Sequence, residues 1–398
     1  MPGQDRSTIV SSATTGPRRR GYAITAGVTA AVLAAAGATL LATGSPAARH
    51  GAAGGAARLA ASTCNGPVGA AYVTDAGWDG FTAIDTANCK VIQTYNVGDP
   101  QVPGDPGDYD YASTDEAVAL HGSTLYFADT GTSNVAVVDA ATLDPSNYNP
   151  AEKLIDVGLF PQSLAVTPDG GQVWVAETGP QTSPSSPSGL AVISTASNSV
   201  VTRLPLRGAP SQVAFSPAGD RAYVTTSDGV WVFSTTTRRP VRLIRGLGDP
   251  RSVAVSPDGK TVYVTDTDGN AVSVIDAATD RVTRTIPVGQ LPWQVVVSAD
   301  GKTVYVANPD SDTVSVISTG TGRVSRTITV TGDPDTLALT PNGQQLWVGQ
   351  KTAAKVTVVD TASFATVGVI NLGGDTAQSA DGYAPTGIAL TGTPTPGS

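Results

Sequence analysis

The chain has 398 residues, 14% of them charged, a net charge of −9 at neutral pH and an isoelectric point near 4.7. No cluster of basic residues stands out beyond residue 63, so neither nucleic acid nor an anionic membrane surface is an expected partner. Beyond that point Val, Thr, Gly and Asp dominate without long helical periodicity, which is an all-β composition.

The N-terminal stretch reads as an address rather than as fold. Arg18-Arg19-Arg20 precedes an apolar, Ala-rich run from Tyr22 to Leu41, then Ser45-Pro46-Ala47-Ala48 and a Gly/Ala stretch to Thr63. A basic flank, an apolar stretch and small residues in this order are an export signal, and Arg19-Arg20-Gly21-Tyr22 is weakly twin-arginine-like. The alternative is a retained membrane anchor, because the run approaches the length of a span. The expected organisation is a signal and linker over 1–63, a folded domain over 64–391 and a disordered tail over 392–398. Secretion or cell-surface display is the expected location. Cys64 and Cys89, the only two cysteines, open the folded part. An even count in an exported chain favours a disulfide. A lipid-modified Cys64 is the rival, opposed by Thr63 and by the distance from the apolar run.

A repeat then governs the rest of the chain. Ser252-Val-Ala-Val-Ser-Pro-Asp-Gly-Lys-Thr-Val-Tyr-Val-Thr265 is nearly copied by Gln294-Val-Val-Val-Ser-Ala-Asp-Gly-Lys-Thr-Val-Tyr-Val-Ala307. The aromatic recurs as Tyr72, Tyr126, Trp174, Tyr223, Tyr263, Tyr305 and Trp347, in steps of 54, 48, 49, 40, 42 and 42 residues. That is the spacing of propeller blades. Within the fifth copy the pattern predicts strand A at 253–256, a Pro257-Asp258-Gly259 turn, strand B at 261–265, strand C at 271–276 and strand D at 282–287. The tetrads Tyr72-Val-Thr-Asp75, Tyr223-Val-Thr-Thr226, Tyr263-Val-Thr-Asp266 and their drifted copies resemble the YVTN-repeat propeller family. The resemblance implies a fold and is nearly mute about activity.

Closure is also legible. The first unit lacks strand A, and Pro385-Thr-Gly-Ile-Ala-Leu390 matches Pro250-Arg-Ser-Val-Ala-Val255. The expectation is an all-β, seven-bladed β-propeller of four-stranded blades, its ring closed by the C-terminal strand joining blade 1. Cys64 and Cys89 then fall on one face of blade 1, where a disulfide would pin the N-terminus beside the seam.

The opposite face gathers variable residues. Glu116, Gln162, Ser211, Arg251, Trp293, Asp335 and Thr386 are equivalent positions at the start of the channel-lining strands, and proline precedes six of them. Such a ring could orient a polar ligand, or be a solvated mouth. Insertions at 99–115, 178–189 and 373–383 lie on the same face, whereas Leu143–Lys153 reads as a longer hairpin on the other. Asp105, Asp108, Asp110 and Asp381 could hold Ca²⁺, although their spacing matches no recognised loop and no other cofactor is expected.

Catalysis has little support. His121 is the sole histidine beyond the signal region and falls in a turn on the wrong face, so no Ser-His-Asp set can assemble. The reading is a non-catalytic, monomeric binding scaffold at or outside the envelope. Its partner would be a protein, an envelope polymer or a small polar ligand, with membrane contact only through a retained N-terminal segment. The alternatives are a carboxylate- or cation-dependent hydrolase or lyase at the channel mouth, and a purely structural surface protein.

Overall fold

Strand residues of the repeat are β-branched or aromatic at most positions, and a strand apolar on both faces needs cover on both sides. The computed structural model, which describes residues 69–76, 80–97, 115–130, 133–144, 146, 150–179, 188–372 and 384–391, supplies that cover by stacking blades. Seven antiparallel four-stranded sheets are arranged as a propeller. In the fifth blade the strands run Pro250–Val255, Thr261–Asp266, Ala271–Asp276 and Arg281–Pro287, from the channel outwards. Each inner strand abuts its neighbours around the ring, and the last, Pro334–Leu339, packs on Ala384–Leu390, which packs on Asp115–His121. Ala384–Leu390 pairs antiparallel with Ala70–Ala76, so the C-terminal strand completes blade 1 as expected.

The core is divided among the blade interfaces. Seven hydrophobic clusters each join residues of two neighbouring blades. Alternation along a strand sends successive side chains to opposite faces. Tyr263 therefore packs towards blade 6 while Val264 packs towards blade 4. Trp174 and Val175 divide in the same way, as do Trp347 and Val348. The recurring aromatic–Val pair is thus one side chain for each neighbour.

Inner strands turn into the second strand through a shared device. In Ser256-Pro257-Asp258-Gly259 the Asp258 carboxylate accepts from Ser256 Oγ at 2.6 Å and Lys260 N at 3.0 Å, and Gly259 takes φ +70°. These hydroxyl and backbone bonds hold Asp258 below the usual carboxylate range. His121 occupies the equivalent of the turn proline in blade 2, stacked where a Cβ on Gly170 would fall.

Two expectations concern the blade ends. Cys64 lies outside the described residues, and Cys89, at φ 50° in the turn between Gly80–Asp85 and Lys90–Asn96, is the single described cysteine. The geometry of a Cys64–Cys89 pair is therefore not described, but Cys89 is not a free thiol. The extended connection of blade 2 begins with a 3₁₀ turn, Ala140–Thr142, and rejoins the sheet at Lys153–Asp156. Among the described residues no helix is long and apolar enough to cross a membrane.

Candidate functional site at the channel mouth

Every variable position picked out from sequence sits at one irregularity of the fold. Pro210 pairs with Thr226 and Gln212 with Thr225, leaving Ser211 unpaired. The same two-against-one step leaves out Glu116, Gln162, Asp335 and Thr386 in their blades. Arg251 lies in the skip between Pro250 and Val253. In blade 6 Ala307 bonds both Trp293 and Gln294. These are β-bulges at the entry of the inner strands, and a bulge re-aims its extra side chain. Sequence alignment located the positions; the reason they vary together is the bulge.

The bulges are clasped from blade to blade. Thr265 Oγ1 accepts from Ser252 N at 2.9 Å in its own blade and donates to Trp293 O of the next at 2.8 Å. Thr225 repeats this with Gln212 N at 3.0 Å and Arg251 O at 2.9 Å. The threonine of the tetrad is therefore a bulge clasp. One residue past the bulge, Gln212 Oε1 accepts from Val253 N at 2.6 Å and Ser252 Oγ from Val295 N at 3.1 Å. Sequence reasoning missed these residues, although Gln and Ser in an otherwise apolar strand were the available signal.

The fourth tetrad position anchors the mouth loops. Asp266 accepts from Gly248 N, Asp249 N and Gly269 N, so it ties both loops of blade 5. Burial opposes its charge, but these three N–H groups hold it below its ordinary range. Glu177, buried, accepts from Gly158 N at 2.8 Å and from Arg203 Nη1 at 3.0 Å; burial still raises its carboxyl above the usual value.

On three consecutive blades the ring carries its strongest chemistry. The Arg251 guanidinium lies 3.9 Å from the Trp293 ring centroid, a cation–π contact, with Arg251 buried and Trp293 half-buried. Asp335 follows, only 7% exposed, and its Oδ1 has no hydrogen-bond partner among the described residues. Burial pushes its carboxyl up to about 7, against the pull of the nearby Lys351 ammonium. Thr336 Oγ1 beside it is likewise buried without a described partner. Gln162 is buried, Ser211 is half-buried, and Thr386 Oγ1 lies 3.1 Å from Thr74 Oγ1. Glu116 is placed by its backbone alone.

The candidate cation ligands Asp105, Asp108, Asp110 and Asp381 lie outside the described residues, as does most of each mouth insertion. Among the described residues no group of three or more His, Cys, Asp or Glu could hold a metal. His121 ends the inner strand Asp115–His121 and Glu116 is its second residue, so the ring and the histidine stand at opposite ends of the channel.

Sequence comparison adds a family to this geometry. A family model, the choice-of-anchor I domain, matches residues 68–303. The chain belongs to that family. The YVTN-repeat assignment is corrected accordingly, and the physical reason lies in the tetrad itself. Its aromatic, Val and Thr serve the two blade interfaces and the bulge clasp, so it marks the propeller and not one lineage. No curated protein matches this choice-of-anchor I propeller in sequence. A solved protein of unknown function from Desulfotomaculum acetoxidans is similar at 17% identity, with a TM-score of 0.65, covering 81% of this chain and 99% of its own. The Kuenenia stuttgartiensis hydrazine synthase is similar at 25% identity and a TM-score of 0.54, over 65% of this chain and 80% of its own.

Proposed function

We propose that this protein is an exported, non-catalytic binding propeller of the cell envelope that takes a small polar ligand at the bulge-lined channel mouth. The observation that carries the reading is the Arg251–Trp293–Asp335 succession on blades 5 to 7, with Asp335 Oδ1 buried and lacking a described partner. A buried polar oxygen left unsatisfied costs on the order of 1–3 kcal/mol. A ligand amine or hydroxyl donating to Asp335 would recover that cost, while the half-buried indole of Trp293 offers a flat apolar surface to a sugar or aliphatic ring. The family name, choice-of-anchor, is in keeping with an envelope location.

The test is a thermal-shift screen of the purified protein against small amines, amino sugars and polyols at pH 6 and pH 8. Ligands that raise the melting temperature should lose their effect in both Trp293→Ala and Asp335→Asn. Hits that persist in both variants would overturn the assignment of the site. A second reading, hydrolase or lyase, draws on one observation: a carboxyl titrating near 7 suits general acid–base work. Under that reading Asp335→Asn abolishes turnover of a ligand while its binding survives.

A further inference from the structure

The outer strands carry a second pattern, independent of the mouth. Blades 4, 5 and 6 end in Arg239-Pro-Val-Arg242, Arg281-Val-Thr-Arg284 and Arg323-Val-Ser-Arg326, and all six arginines are exposed. The matched positions of blades 5 and 6 are 42 residues apart, so the propeller sets them side by side on one rim. The expectation that no basic residues cluster is thereby corrected: the cluster exists only in the folded ring. Strands Arg239–Ile244, Arg281–Pro287 and Arg323–Thr329 contain no Asp or Glu. Among the described residues none of the six arginines forms an ion pair.

A groove of about 490 Å³ runs between blades 5 and 6, lined by Arg284 and Arg323 with Thr285 and Thr321. Arg284 Nη1 donates to Thr321 O at 3.0 Å across this groove, and Gly322 leaves it room because a Cβ there would strike the guanidinium. The Arg326 guanidinium is likewise held, 4.8 Å from the Phe364 ring centroid. One arginine of each of these pairs is thus ordered, and its companion is left to solvent.

Protection of strand edges against pairing is the plainer role for such charges. It does not account for the pattern. The outer strand of blade 7, Thr366-Val-Gly-Val-Ile-Asn371, has no charge, and that of blade 1, Lys90-Val-Ile-Gln-Thr-Tyr-Asn96, has one. Those edges manage without the arginines that blades 4 to 6 repeat in one register.

We infer that the rim of blades 4 to 6 binds a linear acidic polysaccharide, whose successive anionic groups meet successive arginine pairs. Guanidinium forks match carboxylate and sulfate oxygens in bidentate geometry. Single exposed pairs are weak, so affinity comes from repetition along the chain and fades as salt rises. The export reading favours a polysaccharide over a nucleic acid as the anionic chain this rim would meet.

The experiment uses the purified chain on dextran sulfate and polygalacturonate, with neutral dextran and a short DNA duplex as comparisons. Despite its net charge of −9 the protein should be retained by both acidic polysaccharides at low salt. The combined Arg239→Gln, Arg281→Gln and Arg323→Gln variant, which spares the ordered Arg284 and Arg326, should bind roughly tenfold or more weakly with a shallower salt dependence. Lys90→Gln, on the far rim, should bind as the parent does. Passage of the parent through both acidic columns would overturn the inference. So would undiminished binding by the triple variant, or tighter binding to the duplex than to either polysaccharide.

Discussion

The inner strands are bulged at their entry, and in blades 4 and 5 a threonine bonds that region to the next blade, yet the side chain presented there differs from blade to blade. On the outer strands of blades 4 to 6 the chain is exposed and touched at few points, yet arginine recurs in one register. Burial would ordinarily restrict variety and exposure permit it. The inversion teaches that neither pattern is explained by packing alone. The inner bulges are mounts for unlike side chains, and the outer strands repeat a charge that has no ion-pair partner among the described residues.

The contrast can be tested first at the interfaces that make the inner region rigid. Trp347, fully buried between blades 7 and 1, should cost about 3–5 kcal/mol as Trp347→Ala, measured by urea unfolding. A loss below about 1 kcal/mol would mean that neighbouring blades are not packed as described.

Asp335 should produce the next largest effect, and a pH-dependent one. Its carboxyl sits near 7 in the fold against an ordinary 3.8. Between those values the unfolded chain ionises while the buried group keeps its proton, so stability falls as pH rises through this window and levels off above it. The effect is at most about 4 kcal/mol. Asp335→Asn should flatten that slope between pH 4 and 7 in denaturant titrations. An unchanged slope would show that another group carries it.

Thr265→Val should cost about 1–2 kcal/mol, because it removes the acceptor for Ser252 N and the donor to Trp293 O without changing volume much. If the clasp also orients the mouth, Thr265→Val should weaken any ligand that Trp293→Ala weakens. The smallest effect belongs to the outer rim. The combined Arg239→Gln, Arg281→Gln and Arg323→Gln variant should unfold within about 0.5 kcal/mol of the parent. A larger loss would make those arginines part of the scaffold and erase the contrast.

Much of the architecture was readable before folding was considered. The recurrence of Tyr72 through Trp347 counted the blades, and the match of Pro385–Leu390 to Pro250–Val255 placed the seam, because both are consequences of a period written along the chain. The mouth ring was readable as a proline followed by a variable residue. That the variable residue is a bulge was not, since a two-against-one pairing depends on the partner strand. The roles of Gln212 and Ser252 were hidden for the same reason: their partners, Val253 and Val295, are about 40 residues away. Family membership did not follow from the tetrads either, because Tyr263, Val264 and Thr265 answer to blade geometry that any propeller of this construction imposes.

Blade count, strand order within each blade and the closure of the ring are all written in the linear pattern of residues. These depend on local alternation, on turn residues such as Pro257-Asp258-Gly259, and on a repeat that needs no partner to be recognised. What the repeat brings together depends on the folded ring. Winding the chain into a ring stacks positions one blade apart, so Arg251, Trp293 and Asp335 converge on one mouth and the arginines of three outer strands line one rim. Buried desolvation then lifts Asp335, and bonds between blades hold the bulges, because both effects arise only when neighbouring sheets exclude water from between them.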